Sequence, residues 1–390
     1  MKSLPKECHS DFCETSRTLK YGGLMRFLML NWRDPKNPLA GGAERVSAAY
    51  LGALVQRGHE VCWYANEFEG GRPEEKVDGI GFVRGGGRGT SILKAIRWYR
   101  RQRPFDLVID QHHGIPWFAP WWCRTNCVAY IHEVLGPIWA SFYPWPLSVL
   151  GRWQERWTHK LYRNIPFWVP SETTRRRLLA RGVRNIRVVP NGCDAVPLTG
   201  LEPKPLRLPL KLVSASRLAS NKRVDHAIQV VGCLIDRGIT AHLNIVGTGE
   251  TAAALRRAVD QLKINPHVTF SGLLSEKEKN DALREAHFLI HTSIREGWGL
   301  NVIEANAMGT PAIVYPVDGL SDSTVNGQTG IVTPAETPES IADCLQALFN
   351  TPATYDALRL NAWNRSRQFQ WDQVLPPACR WLEQLAGQKR

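Results

Sequence analysis

Short apolar runs rich in valine, isoleucine and phenylalanine alternate with helical patterns along almost the whole chain. This alternation is typical of parallel sheets covered by helices, because buried parallel strands read as nearly continuous apolar runs. It predicts an α/β fold of two Rossmann-like, doubly wound domains that face each other across a cleft. The predicted strands are 27–30, 61–64, 107–109, 128–131, 167–169 and 188–189 in the first half, and 212–215, 243–246, 268–270, 288–291 and 312–315 in the second.

A proline-rich segment separates the two halves and predicts the boundary between the domains. Proline suits an exposed connection better than the interior of a strand or helix, and four prolines cluster here: Pro197, Pro203, Pro205 and Pro209. We therefore expect five segments, which are a leader at 1–24, an N-terminal domain at 25–195, a linker at 196–209, a C-terminal domain at 210–368, and a helix at 369–390 that can pack back on the N-terminal domain. The leader lacks the apolar segment of a signal peptide, and it is either a disordered extension or an upstream start that the cell does not use.

The size and composition of the chain are those of a folded protein. A length of 390 residues is too great for one ordinary core, and apolar and charged fractions of 43% and 22% exclude a disordered or fibrous chain. The absence of a long apolar run excludes a transmembrane helix. Nine irregularly spaced cysteines without a secretion signal indicate reduced thiols. We expect a cytoplasmic protein, with contact to the inner face of the membrane left open.

The positive charge of the chain indicates an anionic partner. The net charge is +13, and residues 91–103 carry five basic residues and no acid among apolar ones, which predicts a basic amphipathic helix. A second basic stretch spans 152–187, and eleven of the fifteen tryptophans precede residue 170. Two interpretations remain open. Either the basic and aromatic residues contact a membrane surface, or the rings fill the N-terminal core while the arginines form a solvated face.

One group of residues invites a zinc interpretation, which we reject. Cys123 and Cys127 follow His112 and His113, but the three-residue gap between the cysteines lies at the entry of a predicted strand, and no second well-spaced pair follows. The chain also has no D-x-D motif of the kind that binds a metal ion. We therefore expect neither a metal site nor a cofactor.

The most specific motif is E-G-W-G-L-N-V-I-E, which runs from Glu296 to Glu304 shortly after the predicted strand 288–291. A strand, a glycine turn and a helix present backbone N–H groups at the positive helix end to a phosphate or a hydroxyl-rich ligand. We expect Glu296 in the turn and Glu304 about two helical turns further on. Carboxylates accept hydrogen bonds from paired sugar hydroxyls, so one glutamate can hold a hexose and the other a ribose.

In these motifs the chain resembles the retaining glycosyltransferases of the GT-B fold, family 4. The resemblance rests on the two glutamates eight residues apart, on E-A-N-A-M-G-T-P-A-I-V and on N-G-Q-T-G-I-V, which ends at Val332. It covers residues 25 to about 370. It implies a nucleotide-sugar donor carrying UDP or GDP in the C-terminal domain, and a saccharide or lipid-linked acceptor in the N-terminal domain.

The resemblance also assigns roles to individual residues. Arg217 and Lys222 match the basic pair that grips the donor diphosphate, whose charge must be met by cations and backbone donors when no metal is present. Gly41 and Gly42 match a glycine loop that lets the backbone approach the phosphates. His132, at the end of a predicted strand, matches a histidine near the transferred sugar, although a structural histidine is the alternative.

The implied site therefore has a catalytic and a donor-binding group. The catalytic group is His132, Arg217, Lys222 and Glu296, and the donor-binding group is Gly41, Gly42, Arg217, Lys222, Gly247, Glu296, Gly297, Gly299, Leu300, Asn301 and Glu304. One departure is V-D-G-L-S-D at 317–322, where many relatives have two glycines, and it leaves the contacts of this loop open.

The resemblance implies transfer of a hexose with retention by front-face attack, in which a phosphate oxygen of the donor takes the acceptor proton. Such a reaction would serve the synthesis of cell-envelope polysaccharide or glycolipid. The alternatives are a nucleotide-sugar epimerase of the same fold, which turns over without an acceptor, and a non-catalytic protein that binds the membrane surface. A nucleic-acid-binding protein fits the charge, but the chain lacks a recognised reader module, so we expect no nucleic-acid partner.

Overall fold

The computed structural model describes residues 23–87 and 89–388, so all but the last two residues of the predicted leader lie outside it. Its two α/β domains are each built on one largely parallel sheet. The predicted fold class is therefore confirmed. Among the described residues, no helix is both long and apolar enough to cross a bilayer.

The N-terminal domain holds an eight-stranded sheet. In chain order its strands are β1 (Arg26–Leu30), β2 (Glu60–Ala65), β3 (Glu74–Val77), β4 (Ile80–Arg84), β5 (Leu107–Gln111), β6 (Asn126–Tyr130), β7 (Phe167–Val169) and β8 (Ile186–Val188). Their order in the sheet is β3-β4-β2-β1-β5-β6-β7-β8, so the strand order reverses between β1 and β5. The helices are α1 (Gly42–Gln56), α2 (Ser91–Tyr99), α3 (Ala119–Trp122), α4 (Trp139–Phe142), α5 (Leu147–Leu161) and α6 (Glu172–Leu179).

The C-terminal domain holds a six-stranded, all-parallel sheet. Its strands are β9 (Leu210–Ala215), β10 (Ala241–Val246), β11 (Val268–Gly272), β12 (Phe288–His291), β13 (Ala312–Val314) and β14 (Gly330–Val332), and their order is β11-β10-β9-β12-β13-β14. Here the strand order reverses between β9 and β12. The remaining helices are α7 (Val224–Asp236), α8 (Ala252–Leu262), α9 (Glu276–Glu285), α10 (Leu300–Ala307), α11 (Leu320–Ser323), α12 (Pro338–Phe349), α13 (Pro352–Ser366) and α14 (Trp371–Ala386).

The predicted strands all overlap strands of the structure, but three strands were not predicted. Two of them, β3 and β4, form an antiparallel hairpin at the sheet edge, so the expectation of purely parallel sheets is wrong there. The turn consists of Asp78 and Gly79, both with positive φ, and Asp-Gly is a strong hairpin signal. Strand β3 is acidic and largely exposed, and it therefore lacks the apolar run that marks the buried strands. The third, β14, has only three residues.

The tryptophans fall into two groups, so the interpretation that the rings fill the N-terminal core holds for part of the set only. Trp63, Trp117 and Trp168 are fully buried in the N-terminal domain, whereas Trp145 and Trp153 are exposed. The predicted basic helix exists as α2 but ends at Tyr99. Its residues Ile92, Trp98 and Tyr99 pack against the core cluster beneath it.

Helix α14 follows the C-terminal domain in the chain but packs against the N-terminal one. Leu382 and Leu385 belong to the same buried cluster as Phe27 and Leu54. The Glu383 carboxylate accepts hydrogen bonds from Arg57, with Nε at 2.6 Å and Nη2 at 2.8 Å. The end of the chain therefore ties the two domains together.

We predict that Leu382→Ala lowers the free energy of unfolding of the N-terminal domain by about 2–5 kcal/mol, because the change removes a fully buried side chain and leaves a cavity. Leu360→Ala, on exposed α13 surface, serves as the control and should change stability by less than about 0.5 kcal/mol. Chemical denaturation followed by tryptophan fluorescence measures both. Equal effects of the two substitutions would contradict the packing of α14 on this core.

Candidate functional site

The candidate site lies where the two domains meet. In both sheets the strand order reverses, between β1 and β5 and between β9 and β12, and ligands of doubly wound sheets bind at the carboxyl ends of the strands near such points. The N-terminus of α1 meets the N-terminus of α10 there, because a Cβ placed on Gly42 would lie 3.4 Å from Cδ1 of Leu300. Gly41 precedes α1, and its N–H donates to the carboxylate of Glu44 at 2.7 Å.

A compact charged cluster surrounds Glu296. Its Oε1 lies 2.5 Å from Nζ of Lys222, accepts a hydrogen bond from Oγ of Ser293 at 2.6 Å and lies 3.5 Å from Nε2 of His291. Burial alone would raise the pKa of Glu296, but Lys222 and then His291 hold that pKa below its ordinary value. Burial also lowers the pKa of His291 to about 4, so that ring is neutral at physiological pH.

The pairing of Lys222 with Glu296 refines the roles that the resemblance implies. The predicted roles separate the two residues, with the lysine on the diphosphate and the glutamate on the sugar. In the structure they bind each other, and both side chains are mostly buried. A phosphate that approaches Lys222 must therefore share its ammonium group with Glu296, which keeps the cation in place before the ligand arrives.

The glycine turn after β12 makes a close backbone approach between the domains. A Cβ on Gly297 would lie 2.9 Å from the carbonyl oxygen of His132, so any larger residue would push the two apart. Gly319, with φ of +74°, sits even more tightly against the turn, since its Cβ would lie 2.2 Å from the carbonyl oxygen of Glu296. Glycine at these positions thus brings His132 and Glu296 into one site.

The loop 317–322, whose contacts the sequence left open, joins the two domains. The Asp318 carboxylate pairs with Arg177 of α6. The Asp322 carboxylate accepts hydrogen bonds from the backbone N–H of Thr173, at 3.2 and 3.3 Å, and from its hydroxyl. This loop therefore clamps the C-terminal domain onto the start of α6 rather than lining the site with glycines.

Helix α10 carries the remaining residues of the E-G-W-G-L-N-V-I-E motif. It begins at Leu300 after Gly299, which has φ of +79°, so Glu304 lies about one turn into the helix. The expected separation of two helical turns is wrong because residues 296–299 form a turn and not helix. Glu304 pairs with Lys279 at 3.0 Å, and the Asn301 amide donates to the carbonyl of Ala215 at 2.8 Å, which anchors α10 to the end of β9.

Arg217 is the exposed cation of the site. It follows β9 by two residues, and within the described chain its side chain has no hydrogen-bond or ion-pair partner. Gly247, after β10, lies directly against the neighbouring backbone, since its Cβ would lie 2.0 Å from the carbonyl oxygen of Ser216. Gly247 therefore allows β9 and its following loop to hold Arg217 at the sheet end.

His132 lies across the cleft, two residues beyond β6. Nε2 of Gln111 lies 3.1 Å from Nε2 of His132, and Oε1 of the same Gln111 accepts a hydrogen bond from Ser47. This pattern makes the histidine Nε2 an acceptor, so we assign the ring proton to Nδ1. Burial lowers the pKa of His132 to about 3, and nearby His113 contributes, so the ring is neutral and acts as a hydrogen-bond donor rather than an acid.

Two residues that the sequence analysis did not single out also lie in the cleft. Arg295 donates from Nη1 to the carbonyl oxygens of Val134 and Leu135, the latter at 2.9 Å. Glu133 has a buried Oε2 without a hydrogen-bond partner among the described residues. Burial raises the pKa of Glu133 to about 7, and the charge of Glu296 adds to the rise. Glu133 follows the predicted residue His132, and Arg295 precedes the predicted residue Glu296. This neighbourhood in the chain was the only sequence signal for either residue.

The residues once considered for zinc take part in other contacts. Nδ1 of His112 lies 3.3 Å from Oδ1 of Asp110, which also accepts the backbone N–H of Trp117 at 3.0 Å. Across the described ranges, no three His, Cys, Asp or Glu side chains are grouped so that they could hold a metal ion.

Two family profiles match the chain on either side of the linker. "Glycosyltransferase Family 4" matches residues 40–196, and "Glycosyl transferases group 1" matches residues 205–365. The chain belongs to these glycosyltransferases. The resemblance drawn from the motifs is therefore confirmed, and the matched ranges contain every predicted site residue.

Known structures agree with this fold. Sucrose-phosphate synthase from Thermosynechococcus elongatus aligns with a TM-score of 0.74 at 18% identity, over 93% of this chain and 99% of that one. HepE from Anabaena, solved with UDP and glucose, aligns with a TM-score of 0.70 at 15% identity, over 92% and 100% of the chains. At these identities the likeness concerns the fold.

Among curated proteins, the D-inositol 3-phosphate glycosyltransferase of Rhodococcus opacus is 28% identical over 203 residues, which are 50% of this chain and 45% of that protein. The matches with the first curated relatives span less than half of each relative's length.

We predict that the affinity of the cleft for an anionic ligand, probed with UDP and GDP, falls as pH rises through about 7, because Glu133 then ionises near Arg295 and Lys222 and offsets their positive charge. Below that pH the carboxyl group is neutral, so the loss appears on the alkaline side. Glu133→Gln should abolish this component of the pH dependence. At every pH it should keep the affinity that the wild type shows below pH 7. Calorimetric titration at a series of pH values measures the affinity. Superimposable pH profiles for the wild type and Glu133→Gln would contradict the ionisation of Glu133.

Proposed function

We propose that this glycosyltransferase moves a hexose from a UDP- or GDP-sugar to a saccharide or lipid-linked acceptor, with retention at the anomeric carbon. The observation that carries the proposal is the meeting of two helix N-termini across the cleft. A side chain added at Gly42 of α1 would touch Leu300 of α10, because its Cβ would lie 3.4 Å from Cδ1 of Leu300. Each helix presents backbone N–H groups and a positive dipole end, so a diphosphate between them would be stabilised from both domains.

The side chains around this point supply the matching charge. Lys222 is mostly buried and held by Glu296, whereas Arg217 is exposed at the end of β9. A fixed cation and an unpaired one suit a leaving group that gains negative charge as its bond to the sugar breaks. Arginine in particular can bind two phosphate oxygens at once.

The shape of the cleft implies that the domains move during the reaction. The pocket lined by Gly42, Leu300 and Glu304 has a volume of about 30 Å³. Pockets that enclose ligands of drug size have volumes of about 300–1,000 Å³. We therefore expect the donor to enter while the domains are apart, and closure to bring His132 and Arg217 to opposite sides of it.

The transfer itself involves one bond broken and one bond formed on the same face of the sugar. The C1–O bond to the diphosphate breaks, the acceptor oxygen bonds to C1, and the acceptor proton passes to a phosphate oxygen. Nδ1–H of the neutral His132 would donate to a sugar hydroxyl, and Arg217 with Lys222 would stabilise the departing diphosphate. Catalysis then depends on positioning and electrostatics, without a dedicated protein base.

Similarity to known proteins supports the donor class. HepE was solved with UDP and glucose, and the curated relatives are named as glycosyltransferases or glycogen synthases.

We predict that Arg217→Ala lowers kcat by about 10² to 10³, as expected for the loss of one group that stabilises charge in the transition state. The same change should remove the thermal stabilisation that the cognate nucleotide-sugar gives to the wild type. A thermal-shift panel of UDP-, GDP-, ADP- and dTDP-sugars, followed by turnover with the stabilising donor, measures both effects.

The control is Arg257→Ala on α8, which removes an exposed arginine of the same domain. It should retain both donor binding and turnover. Wild-type turnover in Arg217→Ala would refute the assignment of this arginine, and no stabilisation by any donor would refute the proposed activity.

A further inference from the structure

Helix α5 has a reversed amphipathic pattern, in which the buried face is polar and the exposed face is apolar. Ser148, Glu155, Thr158 and His159 are buried. The exposed stripe consists of Leu150, Trp153, Trp157 and Leu161, which recur at intervals of three or four residues and therefore share one side of the helix. Ordinary surface helices have the opposite arrangement, so this stripe must serve a purpose other than packing within the domain.

The stripe continues into the segment before the helix. Trp145 is 81% exposed and Leu147 is 53% exposed, while Trp153 and Trp157 are 63% and 49% exposed, with their rings stacked at 6.5 Å. We call the surface formed by Trp145, Leu147, Leu150, Trp153, Trp157 and Leu161 the α5 surface. Large apolar side chains are unfavourable in water, and burial of their surface against an apolar partner lowers the free energy.

The charges beside this stripe indicate what the partner is. Arg156, Lys160 and Arg163 are exposed, and Arg152 is partly exposed. Between residues 143 and 165 the only acid is Glu155, and it is buried on the opposite face. The α5 surface therefore presents aromatic and aliphatic groups next to uncompensated positive charge.

We propose that the α5 surface docks on an anionic lipid bilayer. Tryptophan and leucine would enter the interface between headgroups and acyl chains, while the arginines and the lysine meet the negative headgroups. A second copy of this chain fits less well, because two copies paired through α5 would bring like charges together. Helix α2, the basic helix predicted from sequence, lacks a comparable stripe, since Ile92, Trp98 and Tyr99 pack inward.

The buried face of α5 connects this surface to the cleft. The Glu155 carboxylate accepts the backbone N–H groups of Leu135 and Gly136, at 2.7 and 2.9 Å, and pairs with Arg181 at 3.1 Å. The loop that it holds begins at His132 and is the same loop that Arg295 binds from the other domain. A bilayer bound to α5 would therefore lie about one helix diameter, roughly 10 Å, from the loop that borders the site. If the proposed function holds, a lipid-linked acceptor could reach the site from there.

Sedimentation with vesicles tests the proposal on the full chain. The wild type should bind vesicles of phosphatidylcholine mixed with phosphatidylglycerol, and it should bind vesicles of phosphatidylcholine alone much more weakly. Arg156→Gln with Lys160→Gln should weaken binding about 30-fold, since each basic residue near an anionic surface contributes a factor of about five. Trp153→Ser with Trp157→Ser should weaken binding about tenfold or more, because both rings leave the interface.

Two controls keep the outcome interpretable. Leu273→Ser, which changes an exposed apolar side chain of the C-terminal domain, and Arg97→Gln with Arg100→Gln on the α2 side should bind vesicles about as well as the wild type. Every variant should keep the circular dichroism spectrum and the thermal unfolding midpoint of the wild type, which shows that it is folded. Vesicle binding needs no donor or acceptor, so its outcome is separate from that of the proposed activity.

Three results would overturn the proposal. The first is no binding of the wild type to anionic vesicles. The second is equal binding of the wild type and both α5 variants. The third is self-association of the wild type that the tryptophan variant abolishes while vesicle binding stays absent, which would identify the α5 surface as a contact between copies.

Discussion

The two halves of the site are brought together by the close approach of two backbones. The Gly297 turn lies against the carbonyl of His132 at a distance that leaves no room for a side chain. Because of this contact, residues that follow strands in two different sheets share one cleft. The interdomain bonds of Arg295, Asp318 and Asp322 surround the same point, so the clamp and the site are built from the same segments.

Charge within the cleft is arranged before any ligand binds. Glu296 is kept ionised by Lys222 despite its burial, whereas the neighbouring Glu133 has no ion-pair partner in the part of the chain that the structure describes, and its pKa is raised. The carboxylate of Glu296 thus holds the ammonium group of Lys222 in place, whereas the charge of Glu133 changes with pH. His132 and His291 both stay neutral because burial disfavours their charged forms, so they contribute hydrogen bonds and not charge.

The sequence predicted the fold class, the strand positions and the segments that meet at the cleft, because buried parallel strands leave continuous apolar runs and glycine turns leave motifs. It did not predict the β3–β4 hairpin, whose strands are short and partly polar. It also could not show that Lys222 pairs with Glu296 or that Asp318 reaches Arg177, because such pairs join residues far apart in the chain. The sequence did not predict the exposed stripe of α5 either. Its tryptophans are visible in the sequence, but only the burial of Glu155 and Ser148 in the structure shows which face of the helix points inward.

We propose that a donor diphosphate binds between the N-termini of α1 and α10. A crystal structure with the nucleotide-sugar that stabilises the protein tests it most directly. We expect diphosphate oxygens within hydrogen-bond distance of the backbone at Gly42 and Leu300, with the Arg217 guanidinium on the same group. A diphosphate bound away from both helix N-termini, or an Arg217 that points away from it, would refute this donor site.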